Sequence, residues 1–127
     1  MRVITGIARG MRLKTLEGND VRPTAEKIKE AMFSIVQFDL EDAVVLDLFA
    51  GSGQLGLEAL RRGAQKATFS DSSREATDVV MRNAKKSKLF DKCRISTCDC
   101  NQMIRGIAGK EQYDIIFISK FLNMLKS

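Results

Sequence analysis

The chain has 127 residues, 44% hydrophobic and 29% charged, which suits one globular domain with a real core. No apolar run approaches the roughly 20 residues of a membrane-spanning helix, and the start "MRVITGIARG" lacks the apolar stretch of a signal peptide, so a cytoplasmic protein without membrane contact is expected. The absence of histidine removes the commonest general base, and Cys93, Cys98 and Cys100 have neither the spacing nor the partners of a zinc site; reduced cysteines buried in a strand, and no metal, are expected.

The formal net charge of +5 is unevenly placed. Residues 2–15 alternate like strands broken by Gly6 and Gly10, which predicts a small hairpin or a pair of bent strands. Arg2, Arg9, Arg12 and Lys14 precede every acidic residue and Arg22 follows, so this basic start suits a polyanion such as RNA. Thr24 is placed to cap a helix whose apolar stripe is Ile28, Ala31, Met32, Ile35 and Val36, with Lys27, Lys29 and Glu30 facing water. From residue 43 the rhythm becomes strand and helix in alternation. Strands are predicted over 43–49, 67–71, 93–99 and 113–118; helices over 55–62, closed by Gly63, about 73–86, and 101–108. Such alternation implies an α/β fold, a parallel sheet with helices on its faces. A second basic cluster, Arg82, Lys85, Lys86, Lys88, Lys92 and Arg94, falls on a helix and its exit and reads as solvated surface.

The run "LDLFAGSGQLG" carries the chemistry. Gly51-Ser52-Gly53-Gln54-Leu55-Gly56 matches G-x-G-x-x-G between a predicted strand and a predicted helix, the turn that brings backbone close to a nucleotide-like cofactor. Asp71 ends the next strand, where a carboxylate can accept both ribose hydroxyl protons. These features fit a dinucleotide as well as any other adenosine cofactor. Asp47 tips the balance: a pyrophosphate about 6 Å from it would be opposed by roughly 3 kcal/mol at an effective dielectric of 20. The ammonium and sulfonium of S-adenosylmethionine would instead be attracted. Asp99, ending the third strand of the alternation, adds an acceptor for an adenine amino group.

Three stretches in order, "RVITGIARGMRLKT", "RPTAEKIKEAMFSIV" and "DLFAGSGQLGLEALRRGA", resemble bacterial 16S ribosomal RNA (guanine-N2) methyltransferases of the RsmD type, over about residues 1–118. The resemblance implies a Rossmann-like methyltransferase fold, S-adenosylmethionine as donor, and ribosomal RNA of the small subunit as partner. It assigns Asp47, Gly51 and Gly53 to the methionine end of the cofactor, Asp71 to the ribose, and Asp99 with Cys100 to the adenine. Arg2, Arg9, Arg12 and Arg22 fall where RNA is met.

A departure follows the last predicted strand. The family continues there into D-P-P-Y, which draws the protons of the acceptor amine out of the ring plane and stacks on the base. This chain has Ser119, Lys120, Phe121 and Leu122. The expected layout is thus one domain: a hairpin-and-helix extension over 1–40, a cofactor half over 43–118, and a divergent tail over 119–127, with the fold incomplete at its C-terminus. No catalytic residue is assigned, and the chain alone is expected to be inactive. The strand at 113–118 is expected as a free sheet edge through which two copies pair. Two other classes stay open, a non-catalytic cofactor- or RNA-binding remnant and a dinucleotide-dependent oxidoreductase domain.

Overall fold

The computed structural model describes residues 2–5, 25–108 and 112–118. In chain order the elements are β1 (Arg2–Thr5), α1 (Ala25–Val36), β2 (Val44–Leu48), α2 (Gln54–Arg61), β3 (Lys66–Asp71), α3 (Arg74–Lys86), a 3-10 turn (Phe90–Lys92), β4 (Cys93–Thr97), α4 (Cys100–Ile107) and β5 (Ile115–Ile118). The expected strand-helix alternation is therefore present, with ends shifted by one or two residues. The strands form one sheet in the order β1-β5-β2-β3-β4, every pair parallel.

Alternation along β2 sorts the core. Val45 joins the side formed with Met32, Phe33, Leu55, Leu57, Leu60 and Val80, whereas Leu46 and Leu48 join Met103 and Tyr113 on the other. Helices α1, α2 and α3 thus contribute to one face and α4 to the opposite face. From β2 the chain winds outward through β3 to β4, then returns across to β5 on the other side of β2. This reversal is the switch point at which open α/β sheets leave a crevice beyond their strand ends.

Two helices end alike. After α2, Ala64 N–H donates to Ala59 C=O at 3.0 Å and Gly63 N–H to Leu60 C=O at 3.2 Å, with Gly63 at φ 111°. After α3, Leu89 N–H donates to Ala84 C=O at 2.9 Å and Lys88 N–H to Lys85 C=O at 3.1 Å, with Lys88 at φ 62°. Both are Schellman endings, but only the first has a glycine in the left-handed position. The expected stop at Gly63 is present.

The structure corrects several expectations. The strand expected as a free edge is internal: β5 has β2 on one side and β1 on the other, with Arg2 opposite Ile115 and Thr5 opposite Ile118. Among the described residues the edges are β1 and β4, so the route proposed for pairing two copies is closed within the chain. Residues 2–5 join the main sheet rather than standing apart; the rest of the expected hairpin, Thr24, Arg9, Arg12 and Arg22 lie outside the described residues. The stripe of α1 is turned from the expected one: Met32, Phe33 and Val36 are buried, Ala31 is exposed, and Ile35 is 54% exposed. The cause is Phe33, whose ring lies 5.2 Å from that of Phe117 and beneath the Arg62 guanidinium at 4.7 Å. Lys29 is half-buried rather than facing water. The cysteines are free but half-buried, and only Cys93 belongs to a strand, since Cys98 lies beyond β4 and Cys100 opens α4.

Candidate functional site

Beyond the ends of β2 and β3 lies a cleft of about 430 Å³, walled by Gly51, Ser52, Asp71, Ser73, Glu75, Ala76 and Val79. One wall is the loop after β2, which is held from several directions. Ala50 N–H donates to Ser70 C=O at 3.0 Å, Gly53 N–H to Ala50 C=O at 2.8 Å, and Asn83 Nδ2 to Ser52 C=O at 3.1 Å. Phe49, Gly51 and Gly53 take left-handed backbone at φ 62°, 60° and 85°. An aromatic residue in that region is strained, and such strain concentrates at ligand-binding turns.

The glycines of the fingerprint divide their work. A Cβ at Gly51 would meet nothing within 4 Å, so this backbone is open to a ligand. At Gly53 it would stand 3.1 Å from the Val80 side chain, and at Gly56 it would come within 2.3 Å of the Phe69 ring. Gly56 therefore lets α2 approach β3, the packing role expected of the last glycine in this pattern.

Asp71 binds both walls together. Its Oδ2 accepts from Gly51 N–H at 2.9 Å and its Oδ1 from Ser73 N–H at 3.0 Å. Each carboxylate oxygen keeps a further lone pair for a hydroxyl donor. Ser73 in turn caps α3, its Oγ accepting from Ala76 N–H at 3.1 Å. Among the described residues the cleft wall holds two carboxylates, Asp71 and Glu75, and no lysine or arginine.

Asp47 lies elsewhere. It is completely buried beneath the loop, where its Oδ2 accepts from Gly56 N–H at 2.9 Å and its Oδ1 has no partner among the described residues. Burial pushes its pKa up to about 8, the Gly56 hydrogen bond opposing and the nearby Asp71 charge adding to the rise. Burial therefore favours the protonated form of Asp47, and the carboxylates on the cleft wall itself are Asp71 and Glu75.

Of the residues singled out in the sequence, Gly51 and Asp71 meet at the cleft, while Gly53 and Asp47 support it from behind. Asp99 is the N-cap of α4, its Oδ1 accepting from Gln102 N–H at 2.8 Å in a capping box. Neither Asp99 nor Cys100 is on the cleft wall. Arg2 belongs to edge strand β1. Sequence reasoning missed Ser52, Ser73, Glu75, Ala76 and Val79. A helix start two residues after Asp71 was the available signal, because that helix must form the facing wall. Among the described residues no cluster of acidic or cysteine side chains is suited to a metal, and no helix is long and apolar enough to cross a membrane.

The chain is 37% identical over 111 residues to the Bacillus subtilis protein YlbH, 87% of this chain and 60% of that one. It is 29% identical over 119 residues to ribosomal RNA small subunit methyltransferase D of Haemophilus influenzae, 93% of this chain and 62% of that one. The chain therefore spans about three-fifths of the length of these curated relatives. The solved RNA methyltransferase of Salinibacter ruber, in complex with S-adenosyl-L-homocysteine, superposes with a TM-score of 0.54 at 21% identity, over 61% of this chain and 50% of that one, a likeness of fold. Residues 1–119 match the family described as Conserved hypothetical protein 95, and with these relatives the chain belongs to that family, the RsmD type of Rossmann-like methyltransferase.

Proposed function

We propose that the cleft binds S-adenosylmethionine and that the protein serves methyl transfer to a guanine N2 of small-subunit ribosomal RNA. The observation that carries the donor assignment is the wall itself: open backbone at Gly51 beside the Asp71 carboxylate, with Glu75 on the same wall and the neighbouring Arg74 turned to Asp78 at 3.6 Å. A pyrophosphate would meet two carboxylates there, whereas a ligand carrying ammonium and sulfonium charges is attracted. Asp71 accepts the ribose hydroxyl protons, Gly51 lets the adenosine lie against the backbone, and the neutral Asp47 keeps the loop seated through Gly56. When bound, the cofactor supplies a methyl group activated for attack by a nucleophilic amine.

The RNA half of this reading is supported by the Haemophilus influenzae relative, named for the small ribosomal subunit, and the guanine N2 rests on the resemblance of the three sequence stretches alone. Arg2, Arg9, Arg12 and Arg22 are proposed phosphate contacts, Asp99 and Cys100 an adenine-side boundary beyond the cleft wall. Ser119 and Leu122, the first and fourth residues after β5 in the sequence, offer neither a carboxylate nor a stacking ring. Losing a preorganised acceptor group of this kind typically costs 10²–10³ in rate. This chain is therefore proposed to hold the donor without transferring the methyl.

Two measurements on the purified chain test this. S-adenosylhomocysteine should raise the thermal midpoint and NAD should not; the reverse order would overturn the donor assignment. Labelled methyl transfer to undermethylated 30S subunits should stay at background, and transfer above it would overturn the proposed silence.

A further inference from the structure

The second basic cluster is more than scattered surface charge. Residues 82–94 carry six cations and a single carboxylate, Asp91, in a chain whose whole formal charge is +5. Arg82, Lys85, Lys86, Lys88 and Lys92 are all exposed, and none is within ion-pair distance of a carboxylate among the described residues. Lys66 adds a cation at the same end of the sheet, since it precedes Ala67, the register partner of Cys93. Lys85 and Lys86 lie in the last turn of α3, where they complement the helix dipole. That accounts for neither Lys92, beyond the helix, nor Lys88.

Lys88 occupies the left-handed position of the Schellman ending at φ 62°, where glycine or asparagine is the unstrained choice. In the midst of these charges stands Phe90, 41% exposed, with the Lys85 ammonium 5.0 Å from its ring centroid. An exposed ring among unpaired cations is the arrangement by which proteins track a nucleic-acid backbone while stacking an unpaired base. The cleft uses the first half of α3, Ser73 to Val79, whereas the cluster starts a turn later at Arg82 and runs past the helix end to Lys92.

We propose that this face, Arg82, Lys85, Lys86, Lys88 and Lys92 around Phe90, is a docking surface for single-stranded RNA, separate from the cofactor cleft. The proposal takes its class of partner from the ribosomal-RNA reading above. It adds a contact remote from the reacting base, which holds the RNA without touching the donor. A membrane surface would match the charge, but a ring ready to stack on a base favours RNA.

The test is fluorescence anisotropy of the full chain with a labelled single-stranded oligoribonucleotide of about 12 nucleotides and a duplex of equal length, over a salt series. The K86E/K88E/K92E variant should bind at least about tenfold more weakly, with the slope of log affinity against log salt flattened by about 2–3. Phe90→Ala should weaken single-strand binding about fivefold or more and leave the duplex unchanged. Lys88→Gly separates charge from folding: it should raise the thermal midpoint while lowering RNA affinity. Binding of S-adenosylhomocysteine should be the same in every variant. Undiminished RNA binding by the folded triple variant overturns the docking face alone. No RNA binding by the unaltered chain overturns it together with the ribosomal-RNA reading, as does binding to phosphatidylglycerol vesicles in place of RNA.

Discussion

Gly56 and Asp47 are one unit, since the N–H of the first is held by the carboxyl of the second while Phe69 closes over the glycine. Phe69 is fully buried and cannot step aside, so Gly56→Ala should destabilise the fold by about 2–3 kcal/mol, measured by urea unfolding. A loss below about 0.5 kcal/mol would contradict that packing. Asp47 makes stability depend on pH. Its folded pKa of about 8 stands above the ordinary carboxylate value of 3.8, so the folded chain retains a proton that the unfolded chain has released. The associated stability is full below about pH 4 and is lost as pH rises through about 8. Asp47→Asn keeps an acceptor for Gly56 N–H without the proton. Its thermal midpoint should therefore fall less than that of the natural chain between pH 5 and pH 9, and equal falls would contradict the assignment. The fingerprint glycines and Asp71 were legible because turn chemistry is local. The burial of Asp47 was not, because its depth is set by α2 folding back over the strand end.

At the scale of elements, the succession from β2 to β5 was readable from apolar runs separated by turn residues. Two features were not, and each depends on a distant partner. The face of α1 is chosen by Phe33 meeting Phe117, residues 84 positions apart that no helical periodicity connects. The neighbour of β5 is β1, from the other end of the chain, so a strand expected to be bare on one side is paired on both. Hydrogen exchange checks this directly. Backbone amides of Ile115–Ile118 should be protected to the level of Val44–Leu48, whereas exchange as fast as in edge strand β4 would contradict the pairing with β1. The cap of α3 is a local feature with a local cost. Ser73→Ala should remove about 1 kcal/mol of stability, and because Ser73 also lines the cleft, it should weaken ligand binding beyond that loss.

For the whole molecule, the sheet separates two kinds of surface. Beyond the ends of β2 and β3 stands an acidic cleft, and at the far end of α3 stands a cationic face. The sequence displayed both sets of charges, but only the parallel topology puts α3 between them. A cationic adenosine ligand and a polyanion can then be held at once without competing for a site. The central claim is that the cleft takes S-adenosylmethionine through Asp71, and titration calorimetry tests it most directly. The unaltered chain should bind S-adenosylhomocysteine measurably and NAD not at all, and Asp71→Ala should weaken the former by about 1.5–3 kcal/mol, the scale of lost charged hydrogen bonds. Tight NAD binding, or affinity for S-adenosylhomocysteine unchanged by Asp71→Ala, would contradict it.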